Sequence, residues 1–309
     1  MTDTRIAEHI LSSYEEQFNR WPEVRENYAR LGQTCRRSVE IPGGRLYLQH
    51  NPGRARSTQA RVDAASIAAR PCFLCRENRP EQQLAAQWPE GFELLINPYP
   101  IFPVHFTIAS TTHEPQAHWP LAMLEFASEM PGLCAFYNGA RAGASAPDHL
   151  HFQAVNADEL PLMRRVEKLH PASRHGIEAS WSLDADHPLL YYSAVLPKDD
   201  AAQFGEIVKA MRTVAGRDAA TGEVTRELLN VFVWLSVADG ALRIVAVPRA
   251  AHRPSSYPDG EGEGFAVSPG AVDVAGIFIL PRKEDYERME AEDVLDVLRD
   301  TCLPNTPPE

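Results

Sequence analysis

Two imidazoles one residue apart, followed two residues later by a carboxamide, mark the segment "APDHLHFQAV", residues 146–155. In a strand, side chains alternate between faces, so His149, His151 and Gln153 point one way and Leu150, Phe152 and Ala154 point the other, into a core. An imidazole can bind a metal, move a proton or act as a nucleophile. Histidines are also common at half-buried positions with no chemical role. The preceding "GARAGAS" tips the balance, because Gly139, Gly143 and Ser145 form a turn whose N–H groups and hydroxyl suit a phosphate. An imidazole beside an anion site points to phosphoryl or nucleotidyl transfer. A serine hydrolase is disfavoured, since no serine sits on a Gly-x-Ser-x-Gly elbow.

Cys72-x-x-Cys75 reads as a redox pair, as half of a zinc site, or as two small buried residues. Tetrahedral zinc needs four nitrogen or sulfur ligands. His113, just past the strand "HFTIAS", and His149 complete a plausible set. Taken alone, His113 reads as a surface loop histidine.

Asn138, the glycine turn, Ser145 and His-x-His-x-Gln together resemble the active-site strand of the histidine-triad superfamily. Glutamine at the third position resembles its transferase branch: galactose-1-phosphate uridylyltransferase, dinucleoside tetraphosphate phosphorylase and GDP-hexose phosphorylase. "CFLCRENRP" is similar to the Cys-x-x-Cys segment of the uridylyltransferases, and "INPYPIFPVHFTIASTTHEP" to the nucleoside-binding strands. "LQHNPGRARST" and "HLHFQAV" are similar to GDP-hexose phosphorylases. The spacing departs in one place: Ser145 precedes His149 by four residues, where relatives usually have three.

The resemblance implies nucleotidyl transfer through a covalent intermediate on His151, with Gln153 donating to the phosphoryl oxygens. It implies structural zinc on Cys72, Cys75, His113 and His149. Gly143 and Ser145 would hold a second phosphate, Asn138 would touch ribose or phosphate, and Asn97, Pro98 and Phe102 would line the nucleoside pocket. Arg54 and Arg79 are candidates for the sugar-phosphate side or else solvated arginines. The substrate is expected to be a nucleotide-sugar, GDP-hexose favoured, or a dinucleotide, with inorganic phosphate or a sugar phosphate as acceptor. Hexose-1-phosphate uridylyl transfer and dinucleoside tetraphosphate phosphorolysis are the alternatives. A nucleotide hydrolase and a zinc-stabilised binding module stand further off.

These residues need a scaffold. The 309 residues suffice for one large domain, and 44% apolar with 23% charged is ordinary globular composition. A net charge of −12 argues against a nucleic-acid surface or an anionic membrane as partner. No apolar run approaches a membrane span, the N-terminus lacks a signal-peptide pattern, and five cysteines fit a reduced compartment, so the cytoplasm is expected. The oligomeric state is open, a homodimer included.

The pattern predicts a helix over residues 4–31, a hairpin around Pro42-Gly43-Gly44, strands in "FELLINPYP" and "HFTIAS", and a helix over 119–138 interrupted at Pro131-Gly132. "VFVWLSVADGALRIVAVPRAAHRP" reads as a hairpin ending in Pro-Arg-x-x-His-Arg-Pro, and "SPGAVDVAGIFILPRKEDYE" mirrors the histidine strand with Ala and Gly in place of the histidines. The expectation is an α+β chain of duplicated histidine-triad-like halves, an antiparallel sheet with helices packed on it. Residues 1–309 would form one domain, 1–175 the catalytic half and 176–309 a degenerate second half.

Overall fold

The computed structural model describes residues 14–54, 64–169, 180–181, 187–258 and 264–305. Its strands are β1 (Cys35–Ile41), β2 (Gly44–His50), β3 (Ala85–Gln87), β4 (Phe92–Ile96), β5 (His105–Ser110), β6 (Leu133–Asn138) and β7 (His151–Asn156). The second half adds β8 (Ser180–Trp181), β9 (Tyr192–Leu196), β10 (Gly216–Arg217), β11 (Val224–Thr225), β12 (Leu229–Leu235), β13 (Leu242–Pro248) and β14 (Ile277–Leu280). The main helices are α1 (Pro22–Ala29), α2 (Ala122–Glu129), α3 (Pro161–Leu169), α4 (Ala201–Thr213), α5 (Ala271–Val274), α6 (Lys283–Arg288) and α7 (Ala291–Thr301). No helix among the described residues is long and apolar enough to cross a membrane.

A nine-stranded antiparallel sheet, in the order β3-β4-β5-β7-β6-β12-β13-β9-β8, runs through the molecule. The two halves of the chain meet at its centre, where β6 pairs with β12 in the register Phe136↔Phe232. Both strands are almost wholly buried, because both faces of the sheet are covered. Leu133, Ala135 and Tyr137 pack with α2 and α4 on one face; Cys134 and Phe136 pack with α3, α5 and α7 on the other. A second sheet, β1-β2-β14, lies over this second face. The antiparallel sheet with helices packed on it is thus the expected α+β architecture.

Three details differ from the sequence reading. The helix expected over 119–138 stops at Glu129, and Leu133–Asn138 form a central strand. Gly132, at φ +84°, turns the chain, and the apolar spacing beyond it serves two covered faces instead of one helical stripe. The helix over 4–31 breaks at Trp21 ahead of Pro22, and its residues 4–13 lie outside the described residues. The segment matched to the histidine strand instead forms a helical turn, Ala271–Val274, and then β14, which pairs in parallel with β2 in the small sheet. The hairpins at 42–44 and 239–240 form as expected.

Candidate active site

His151 opens β7, paired between β5 and β6. His149 lies just before the strand, in a turn closed by its N–H donating to the Ala146 carbonyl. Pro147 has no N–H for a ladder, and its carbonyl accepts from Gln116. Phe152 and Ala154 face the helical core, as expected, while His151 and Gln153 face the second sheet.

Hydrogen bonds fix the tautomers. His151 Nδ1 lies 2.8 Å from the His149 carbonyl, which can only accept, so Nδ1 carries the proton and Nε2 keeps its lone pair. Gln116 clamps the strand opening: its Oε1 accepts from the His151 N–H (2.9 Å) and its Nε2 donates to the His151 carbonyl (2.8 Å). Burial holds the His151 imidazole neutral, its pKa lowered to about 4.

His105 on β5, which the sequence reading did not single out, orients Gln153. Its Nδ1 accepts from the Ile101 N–H (3.1 Å), so Nε2 donates to Gln153 Oε1 at 2.8 Å. The Gln153 oxygen is thereby turned toward His105 and Asn97, whose Nδ2 lies 3.4 Å away and also donates to Thr107. The Gln153 amide N–H groups are left for the cleft, where an oxyanion would meet them. The signal was in "HFTIAS": His105 and Thr107 sit two apart, Thr107 directly opposite Gln153 and His105 on its diagonal.

Gln153 lines a cleft together with Arg54, Asn138, Gly143, Ala144 and Ser145. The opposite wall comes from the second half: His252, Arg253, Ser268, Gly270 and Asp273. The sequence reading placed no site residue there. Asn138 joins the two walls, because its Oδ1 accepts from the Ala271 N–H (2.7 Å) and from Asn230 (2.9 Å). Gly143, at φ +96°, runs so close to Gly270 that a Cβ would sit 2.5 Å from its Cα. Only glycine fits there.

Other expected residues fall on the margins. Arg54 is half-buried on the cleft wall, donates to the Tyr99 carbonyl at 2.7 Å, and has its pKa lowered to about 10 by desolvation. Asn97 and Pro98 begin the loop beneath it, where the Asn97 side chain accepts from the Tyr99 N–H. Phe102 packs in the core under the Arg36 guanidinium. Arg79 is not on the cleft: it forms a buried ion pair with Glu93, so it is neither a solvated arginine nor part of this wall.

Cys72, Cys75, His113 and His149 converge, their ligand atoms all within 4.8 Å of one another. His149 Nε2 donates to the Ser110 carbonyl (2.8 Å), which aims the Nδ1 lone pair at Cys72 Sγ (3.3 Å) and Cys75 Sγ (3.6 Å). His113 Nδ1 lies 3.2 Å from Cys75 Sγ. Such spacings suit donors around one tetrahedral ion, since Zn–S is about 2.3 Å and Zn–N about 2.1 Å. The Ser110 carbonyl behind the imidazole is the outer support such ligands normally have. Burial pushes the Cys72 thiol up, but the His149 hydrogen bond and backbone N–H groups outweigh it and bring the pKa down to about 6. The cluster could hold a metal ion.

A family described as a domain of unknown function, DUF4922, matches residues 13–156. No curated protein matches the sequence. Among solved structures, yeast Ap4A phosphorylase Apa2 aligns with TM-score 0.59 at 15% identity, over 94% of this chain and 99% of that one. Apa2 in complex with Ap4A gives TM-score 0.57 at 15% identity over the same shares. Apa2 in complex with AMP gives 0.55 at 14% identity, over 93% and 97%. At this identity the likeness is one of fold, and the chain shares the overall fold of yeast Ap4A phosphorylase Apa2.

Proposed function

We propose that the protein is a nucleotidyltransferase of the phosphorylase type, working through a nucleotidyl group carried on His151. The observation that supports this most is the fixed tautomer of His151: Nδ1–H is tied to the His149 carbonyl, so Nε2 is an unprotonated nucleophile facing the side of Gln153. Nε2 attacks the α-phosphorus of the substrate, the P–N bond forms, and the P–O bond to the departing phosphate breaks. That leaving group is an anion and needs no proton. Positive charge developing on the ring is stabilised by the Nδ1–H bond to the carbonyl, and the Gln153 amide donates to the phosphoryl oxygens. An anionic acceptor then attacks phosphorus, and the P–N electron pair returns to Nε2. Gln153 has no acidic proton to give a leaving group, which favours phosphate over water as acceptor.

The substrate class follows the sequence resemblance to GDP-hexose phosphorylases in "LQHNPGRARST" and "HLHFQAV". The described part of the first segment supports the nucleoside loop: Gln49 donates to the Ile101 carbonyl and Asn51 to the Pro100 carbonyl. Residues 55–58 of that segment lie outside the described residues. A dinucleoside polyphosphate is the second reading, favoured by the fold likeness to Apa2 bound to Ap4A. Zinc on Cys72, Cys75, His113 and His149 would neutralise both thiolates and tie the 72–75 knuckle to the histidine strand, outside the reaction path.

The test is incubation with GDP-, UDP- and ADP-hexoses and with dinucleoside tetraphosphate, each with and without phosphate, followed by mass spectrometry of protein and products. A nucleotidyl adduct mapped to His151, absent in His151→Ala, is the expected result. An adduct on His149, or an active His151→Ala protein, overturns the assignment. Release of a nucleoside monophosphate without phosphate would make the protein a hydrolase.

A further inference from the structure

The motif Pro-Arg-x-x-His-Arg-Pro ends β13 and delivers His252 and Arg253 to the cleft facing Gly143, Ser145 and Gln153. Ser268 sits between them, its Oγ 3.4 Å from His252 Nε2 and 3.4 Å from Arg253 Nε. The Arg253 Cζ lies over the Tyr257 ring, 4.2 Å from the centroid. Beneath them Arg249, fully buried, locks the frame: it donates to Asn230 Oδ1 (2.8 Å), the Pro269 carbonyl (3.0 Å) and the Thr301 carbonyl (2.8 Å). Asn230 in turn holds Asn138 of the first half, so Ser268 is placed against the catalytic strand by a chain of buried hydrogen bonds.

The one acid among the described residues lining the cleft, Asp273, turns inward and spends its oxygens on the Gly270 and Ile279 N–H groups, both at 2.9 Å. The facing wall brings a guanidinium, an imidazole and a hydroxyl together, opposite a glycine turn. That set suits a dianionic phosphate, since charge-assisted donors on a planar guanidinium recognise two of its oxygens at once.

We infer that His252, Arg253 and Ser268 form the subsite for the phosphate that accepts the nucleotidyl group, so that the second half supplies the acceptor side of the site. This rests on the transferase reading above. Inorganic phosphate, or the terminal phosphate of a sugar phosphate, is held with one oxygen directed at the α-phosphorus on His151. The new P–O bond forms as the P–N bond breaks and its electron pair returns to Nε2. The same subsite holds the departing phosphate in the first displacement, because the two steps are mirror images.

The test separates the acceptor from the nucleophile. The protein is charged with adenosine, guanosine or uridine 5′-phosphorimidazolide, whose leaving group carries no second phosphate, and the adduct is chased with inorganic phosphate in single turnovers. For Arg253→Gln the half-saturating phosphate concentration should rise about tenfold or more, the loss expected for a charge-assisted pair. Ser268→Ala, a smaller change that keeps the guanidinium, should raise it by a few-fold. Unchanged phosphate dependence in both charged variants overturns the subsite. If the wild-type protein takes up no nucleotidyl group, the transferase reading fails, and calorimetric titration of the uncharged protein with phosphate decides the subsite by itself. Binding that is weakened in Arg253→Gln then upholds it; no binding to the wild-type protein refutes it.

Discussion

At the scale of single residues, the site depends on which atom of each polar side chain is already engaged. The His149 carbonyl decides that His151 keeps its lone pair on Nε2, and the Ser110 carbonyl decides that His149 offers Nδ1 to the sulfurs. His105 does the same for Gln153. Replacing His105 by Leu leaves the Ile101 N–H and Gln153 Oε1 without their partner, a cost of about 2 kcal/mol or more in stability. It also frees the Gln153 amide to rotate. Adduct formation on His151 should slow about tenfold, the effect of one misaligned donor on a phosphoryl oxygen, with metal content unchanged. Rapid-quench measurement of adduct formation beside metal analysis checks this; an unaltered rate would remove His105 from the machinery.

Elements act here by closing distances between sequence-remote residues. The knuckle at 72–75, the end of β5 and the turn before β7 each carry part of the metal-binding set, so a bound ion would cross-link three segments. We expect about one zinc per chain in protein purified without chelator. Cys72→Ser should abolish it and lower Tm by several degrees, because binding energy at such a site is folding energy. Elemental analysis and thermal unfolding with and without chelator measure both; zinc-free protein of unchanged Tm would show the cluster to be a pair of thiols packed on imidazoles. The turn at 143–145 is a second case, where Gly143 lets its loop approach Gly270 across the cleft.

For the whole molecule, burial of neutral histidines sets the acid response. Burial, and then the Arg54 charge, lower the His105 pKa to about 3; burial lowers His151 to about 4, and burial with the Arg253 and Arg249 charges lowers His252 to about 4. Their unfolded values lie near 6.5. Below that pH the unfolded chain takes up protons that the fold refuses, so stability falls as pH drops, by up to about 1.4 kcal/mol per pH unit for a fully buried histidine. Asp273 acts in the opposite sense, since burial raises its pKa to about 6, and between that value and the unfolded one its protonation favours the fold. His149 acts in the same sense as Asp273, because burial pulls its pKa down but the hydrogen bonds to Cys72 and the Ser110 carbonyl outweigh burial and raise it. In urea titrations at pH 6.5 and 4.5, the His105→Leu protein should lose about 2–3 kcal/mol less than the wild type between the two pH values. Equal losses would mean that His105 is not held neutral.

The chemistry-bearing residues of the first half were legible in the sequence because they lie close together or in recognisable spacing. His-x-His-x-Gln, the glycine turn and Cys-x-x-Cys each carry a local pattern, and the four candidate ligands named from spacing do come together. The two-period alternation of β7 also held from His151 onward, since side-chain direction in a strand is a local property. What the sequence left undecided depends on partners far along the chain. Leu133–Asn138 reads as the continuation of a helix because a strand buried on both faces has no alternation to show, and only the β7 and β12 neighbours make it one. Arg79 looked like a surface cation until Glu93 was placed beside it. The second half looked degenerate because its own histidine-strand counterpart carries no imidazole. Tertiary structure instead brings His252, Arg253 and Ser268 across the sheet to face Gln153, about a hundred residues away in sequence, and only the buried Asn138–Asn230–Arg249 chain fixes them there.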